Sequence, residues 1–158
     1  MPEKMKVGFI GLGHMGCPMA SCILKAGYEL TVYDIRGEAT QGLEAQGAAR
    51  ADNPKEVAIR SEVVVTSLPG PGDVEKVVLG EDGIFAGLSK GGGYIDTSTN
   101  APATMRKISE IGASRGFHVL DAPVSGGVFG AKDGTLSVFV GGQKGDYDRY
   151  LSLLRTIG

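Results

Sequence analysis

The 158-residue chain has little charge excess of either sign. Its 16 Lys and Arg stand against 18 Asp and Glu, a formal net charge of −2. A domain that grips nucleic acid through phosphates needs a basic surplus, so that class of partner is set aside. Cysteine is scarce, with only Cys17 and Cys22. At about 100° per residue on a helix, their spacing puts them roughly 140° apart around the axis. That argues against a disulfide or a shared metal, and for two small buried hydrophobes in a reducing, cytoplasmic compartment. No apolar run is long enough to cross a bilayer. The opening Met1-Pro2-Glu3-Lys4-Met5-Lys6 runs straight into a strand, leaving no room for a signal peptide. Repeats and low-complexity linkers are also missing, and the length suits one domain, residues 1–158.

What is abundant is glycine, 26 residues with no collagen-like period, which should mark tight turns and close backbone approaches. Between the glycines, strand and helix patterns alternate. Lys6 to Ile10 reads as a strand and Gly11 to Gly16 as a turn. A helix follows to Ala26, with Met15, Met19, Cys22, Ile23 and Ala26 at helical spacing. Glu29 to Tyr33 is a strand, Glu38 to Gln46 a helix, Ala48 to Arg50 a short strand, and Pro54 to Arg60 a short helix. Glu62 to Thr66, Tyr94 to Asp96, Phe117 to Leu120 and Thr135 to Val140 read as further strands. A helix follows the Leu68–Gly72 loop to about Leu79. Asn100 is the expected N-cap of a helix that carries Pro102 in its first turn and reaches Arg115. Asp146 is expected to cap the last helix, with Tyr147, Tyr150, Leu151 and Leu154 on one face. This alternation implies an α/β fold of Rossmann type: a doubly wound, mostly parallel sheet with helices on both faces. Ligands of such sheets bind beyond the carboxyl ends of the strands.

At the first of those ends stands Gly11-Leu12-Gly13-His14-Met15-Gly16, a G-x-G-x-x-G that leaves a strand and opens a helix. Gly11 allows the turn, Gly13 lets backbone amides approach a pyrophosphate, and Gly16 lets helix pack on strand. The helix N-terminus adds unpaired N–H groups and positive potential. Asp34 ends the second strand, where a carboxylate can accept from ribose hydroxyls. Arg36 could instead hold a 2′-phosphate, but Asp34 would repel that phosphate at short range. NAD is therefore the expected cofactor, with NADP the alternative. His14 is expected over the pyrophosphate or in solvent, and His118 to be structural.

Three further strand ends are unusually polar or glycine-rich: Leu68-Pro69-Gly70, Asp96-Thr97-Ser98-Thr99-Asn100-Ala101-Pro102, and Asp121-Ala122-Pro123-Val124-Ser125-Gly126-Gly127. With the first turn, Met19-Ala20, Gly130-Ala131, Gly134-Thr135-Leu136 and Gly141-Gly142, they make the chain resemble the β-hydroxyacid dehydrogenase family. That 6-phosphogluconate dehydrogenase-like group includes 3-hydroxyisobutyrate dehydrogenases and semialdehyde reductases. The resemblance implies that Leu68 and Pro69 line the nicotinamide-ribose side, and that Thr99, beside Ser98, contacts the cofactor near the nicotinamide. It assigns Ser125, Gly126 and Gly127 to the carboxylate of a small substrate, a role their hydroxyl and amides suit. One departure is Cys22, where the family commonly has asparagine; this bears on helix packing.

The resemblance also implies a proton donor, a lysine on the helix that follows this domain, expected beyond Gly158. A C-terminal helical domain that closes the cleft and pairs subunits into a homo-oligomer is likewise absent from this chain. No catalytic residue is expected within it, and Lys132 is read as a surface lysine in a loop. The reading is the cofactor half of an oxidoreductase. The competing readings are a non-catalytic dinucleotide-binding interaction module and an imine-reducing relative.

Overall fold

The computed structural model describes residues 4–158. Met1, Pro2 and Glu3, part of the segment read as excluding a leader, lie outside the described residues. The apolar runs form six strands in one parallel sheet: β1 (Val7–Ile10), β2 (Leu30–Tyr33), β3 (Ala49–Arg50), β4 (Val63–Thr66), β5 (Gly93–Asp96) and β6 (His118–Asp121). Their spatial order is β3-β2-β1-β4-β5-β6. The chain winds from β1 to one edge, crosses back to pair β4 with β1, then winds to the other edge. The crevice where that direction reverses lies between the ends of β1 and β4.

The side chains explain why both faces are covered. Strand side chains alternate sides. Val7, Phe9, Val63, Val65, Ile95 and Leu120 point into one core, and Ile10, Val64, Tyr94 and Val119 into the other. The first core is closed by α1 (Gly16–Lys25), α2 (Gln41–Ala45) and, later in the chain, Tyr150, Leu153 and Leu154. The second is closed by α3 (Pro54–Ile59), α4 (Pro71–Leu79), α5 (Ile84–Gly87) and α6 (Pro102–Ser114). Proline occupies the first turn of α3, α4 and α6, where its missing N–H costs no helical hydrogen bond. Asn53 caps α3 by accepting from Glu56 N at 2.8 Å.

Several expected details come out differently. Glu38 to Gln46 splits into a 3₁₀ turn, Gly37–Thr40, and α2. Only Ser137–Val138 of the expected Thr135–Val140 strand is extended. This β8 pairs antiparallel with β7 (Val124–Ser125), outside the main sheet. Between them runs α7 (Gly127–Asp133), which was not anticipated. Lys132 therefore lies in the last turn of a helix, not in a loop, though it is exposed as expected. The residue preceding α6 is Ala101, and the Asn100 amide bonds Asp96 instead of capping. The last helix, α8 (Lys144–Leu154), starts after Gln143. Asp146, in its first turn, is 2.6 Å from His118 Nδ1, which makes His118 a structural tie between β6 and α8. The buried face of α8 is Tyr150, Leu153 and Leu154, without Tyr147 or Leu151. Cys17 and Cys22 are free and only half-buried. Burial raises both thiols above their ordinary pKa, and the Cys22 thiol donates to Ala131 O at 3.3 Å, holding α1 to α7. No helix among the described residues is long and apolar enough to cross a membrane.

Candidate functional site

Register brings the strand ends level. Ile10 pairs with Tyr33 and Thr66, Thr66 with Asp96, and Asp96 with Asp121. The residues that follow therefore emerge along one edge of the sheet, and all the predicted site segments start there.

The three glycines of the first turn are small for different reasons. Gly11 has φ +97°, and a Cβ on it would fall inside the carbonyl oxygen of Ser67, after β4. A Cβ on Gly16 would fall inside the carbonyl oxygen of Gly11. Both are demanded by the protein's own backbone. Gly13 is not: a Cβ there meets nothing within 4 Å. Gly13 and His14 are exposed. Among the described residues, the N–H groups of Gly13, His14 and Met15 donate to no protein acceptor. Free amides at the start of α1 beside open space make a cradle for an anion.

Asp34 braces this turn. Its Oδ2 accepts from Leu12 N at 2.7 Å, and its Oδ1 accepts from Arg36 N at 2.8 Å. Leu12 itself is buried, so it contributes its N–H to this brace and its side chain to the core. Arg36 is largely exposed, with Nε 3.5 Å from Asp34 Oδ1.

A cavity of about 760 Å³ runs along these elements. Gly11, Gly13, His14, Met15, Gly16, Asp34, Arg36, Leu68 and Pro69 all line it. Sequence reasoning missed Ile35, Lys76 and Val77, which also line it. Ile35 is 87% exposed, which is abnormal for a large apolar side chain; Val77 lies on α4, far away in sequence. A second cavity, about 450 Å³, lies at the other end of the sheet, around Lys6, Ser61, Gly92 and Tyr150. It touches none of the predicted site residues. The larger cavity is the candidate because it sits at the switch point.

Ser98, Thr99 and Ser125–Gly127 do not line that cavity. Ser98 is buried, and its Oγ accepts from Leu68 N at 2.7 Å, tying the loops after β4 and β5 together. Thr99, Ser125, Gly126 and Gly127 are exposed. Polar side chains also end β4, β5 and β6: Thr66 and Asp96 are buried and Asp121 is half-buried. Tyr94 OH is 2.6 Å from Thr66 Oγ1, and burial, then the nearby Asp96, pushes its phenol well above the ordinary range. Burial, with Asp96 adding to it, also raises the Asp121 carboxyl. Among the described residues no group of three or more His, Cys, Asp or Glu is arranged to hold a metal ion.

Residues 6–158 match the family model described as the NAD binding domain of 6-phosphogluconate dehydrogenase. The chain belongs to that family. It is a nicotinamide-dinucleotide-binding domain on a Rossmann-type α/β fold. The chain is 45% identical over 152 residues to a 3-hydroxyisobutyrate dehydrogenase of Pseudomonas aeruginosa, covering 96% of this chain and 51% of that protein. It is 42% identical over 153 residues to an NAD-dependent L-serine dehydrogenase of the same organism, covering 97% and 51%. The solved structure of a Mycobacterium tuberculosis 3-hydroxyisobutyrate dehydrogenase with L-serine superposes with a TM-score of 0.92 at 32% identity, covering 98% of this chain and 52% of that one. The chain thus spans about half the length of the dehydrogenases it matches.

Proposed function

We propose that this chain is the cofactor-binding portion of an oxidoreductase acting on a small β-hydroxyacid or its semialdehyde, such as 3-hydroxyisobutyrate, with NAD preferred over NADP. The observation that carries the reading is the empty space over Gly13. The fold needs Gly11 and Gly16 but has no use of its own for a missing side chain at position 13. A ligand whose phosphates meet the backbone there explains it.

When bound, the dinucleotide supplies the hydride donor or acceptor. Gly13, His14 and Met15 offer amides to its pyrophosphate. Asp34 faces the adenosine ribose hydroxyls, and Ile35 and Val77 provide apolar walls for the adenine. Leu68 and Pro69 flank the nicotinamide ribose, and Thr99 and its neighbour Ser98 bound the nicotinamide end. Ser125, Gly126 and Gly127 receive the substrate carboxylate. All three are exposed, which leaves the Ser125 hydroxyl and the backbone amides open to an anion and supports that role. The alkoxide formed on reduction needs a proton, for which no residue here matches the family's lysine.

Titration of the chain with NADH and NADPH tests this reading. NADH should bind at least about tenfold more tightly, a difference of about 1.4 kcal/mol. Asp34→Ser should narrow the gap. Equal or tighter NADPH binding would overturn the preference and make Arg36 the deciding residue. Binding of neither would overturn the whole reading.

A further inference from the structure

Asp96 ends β5 with no exposed surface. Among the described residues no lysine, arginine or histidine pairs with it. Burying an acidic group without a cation is costly unless hydrogen bonds replace its water. Three donors converge on it. Thr66 Oγ1 donates to Oδ1 at 2.9 Å, Ser98 N donates to Oδ1 at 3.0 Å, and Asn100 Nδ2 donates to Oδ2 at 3.0 Å. Counting protons orients the rest of the network. Thr66 spends its one hydroxyl proton on Asp96, so Tyr94 donates to Thr66. Asn100 is fixed at both ends of its amide, because its Oδ1 accepts from Ala101 N at 2.8 Å.

The groups so held are not scattered. Ser98 is tethered through its N–H to Asp96 and through its Oγ to Leu68 N. Asn100 is tethered through its side chain to Asp96. Thr99, between two tethered residues, is left exposed at the crest of the loop. We propose that Asp96 and Asn100 are positioning residues. Their hydrogen bond fixes the loop from Thr97 to Ala101, and thereby presents Thr99 and Leu68 to the nicotinamide end of the dinucleotide. This rests on the cofactor assignment above and adds to it a pair of side chains that need not touch the ligand.

The bonding pattern offers a test that a merely stabilising role would not pass. In Asp96→Asn, the amide oxygen can keep the bonds from Thr66 and Ser98, but the new amide nitrogen faces the Asn100 nitrogen, donor against donor. Turning the Asn100 amide over would only move the conflict to Ala101 N–H. In the double variant Asp96→Asn/Asn100→Asp, the amide at 96 donates to a carboxylate at 100, whose other oxygen still accepts from Ala101. The pattern is restored with the same net charge.

The experiment measures binding of NADH, which carries the nicotinamide, and of ADP-ribose, which lacks it, together with the fluorescence of bound NADH. Wild type should bind NADH more tightly than ADP-ribose. Asp96→Asn should weaken NADH by about tenfold and dull its bound fluorescence, with ADP-ribose changed by less than about twofold. The double variant should recover most of the NADH affinity. Should Asp96→Asn fail to fold, Asn100→Ala, at a partly exposed site, should show the same selective loss. Equal losses for both ligands, no loss, failure of the folded double variant to recover, or a wild type that binds both ligands equally would each overturn the positioning role. A wild type that binds neither overturns the cofactor assignment instead.

Discussion

Two glycine-rich turns lead from a strand into a helix in this molecule, and they are built on different principles. Gly11–Gly16 leaves the central strand β1, and its geometry is set by backbone against backbone: Gly11 lies on the Ser67 carbonyl and Gly16 on the Gly11 carbonyl. The turn at Gly126 and Gly127 leaves β7, two residues long and outside the main sheet. There the glycines are required by positive φ, and the nearest obstacle to a Cβ on Gly126 is the side chain of Leu136 at 3.1 Å; nothing opposes one on Gly127. Phe129 and Phe139 nearby are 83% and 62% exposed. The first turn is therefore a rigid bed whose shape does not await a ligand. The second is held by dihedral preference and a few contacts, so its shape is easier to alter.

The hardest blow to that contrast is Gly16→Ala. A methyl group aimed at the Gly11 carbonyl forces strand and helix apart, and about 3 kcal/mol of stability should be lost, at the upper end of overpacking costs. For a domain of this size that is a fall in Tm of roughly 6–12 °C. A loss under about 1 kcal/mol in chemical denaturation would mean that the turn is not clamped.

Gly13→Val separates bed from ligand. Its side chain enters open space, so stability should change by no more than about 0.5 kcal/mol. NADH affinity should nevertheless fall by at least about tenfold, or 1.4 kcal/mol, because a branched group stands where phosphate must meet backbone. Calorimetry showing unchanged affinity would remove the pyrophosphate from this turn.

In the looser turn, Gly127→Ala meets no steric obstacle and pays only the left-handed backbone penalty, about 1 kcal/mol. Thermal denaturation beside Gly16→Ala makes the comparison directly. If Gly127→Ala proved the more damaging of the two, the ranking of rigid and adaptable turn would have to be reversed.

The smallest effect concerns Asp121, at the end of β6 and bridged to Gly141. Burial, then Asp96, raises its carboxyl in the folded state. The folded chain thus holds this proton more tightly than the unfolded one, and the group lowers stability as pH rises from the ordinary aspartate value near 3.9 through its own higher value. Asp121→Asn should remove that cost: the variant gains in Tm relative to wild type near neutral pH and shows little gain near pH 3. A gain independent of pH would assign the effect to packing instead of ionisation.

The parts of this protein legible in the sequence are those whose cause is local. The apolar strand runs, the alternation with helices and the glycine turn after β1 depend on residues within a few positions of one another, and they suffice for a doubly wound sheet and its dinucleotide edge. Asp34 was legible for the same reason, as the residue following β2. The misassigned caps show the limit. Asn100 and Asp146 have the chemistry of N-caps, but each is engaged elsewhere: Asn100 by Asp96, four residues back, and Asp146 by His118 on β6, which only folding brings near. Thr135–Val140 has the pattern of a strand, yet α7 returns it beside β7, and only two of its residues pair.

By itself, then, the order of residues determined that strands and helices alternate and that one strand opens a phosphate-sized turn, because hydrophobic period and glycine spacing act over short stretches of chain. The tertiary structure alone decided that Gly11 is pinned by the Ser67 carbonyl, because Ser67 follows β4 and reaches the turn only through the pairing of β4 with β1. It also decided that Ile35 and Val77 share a cavity wall and that Asp96 meets Thr66 across β4 and β5. Those are matters of register between strands far apart in sequence, which no short window of residues contains.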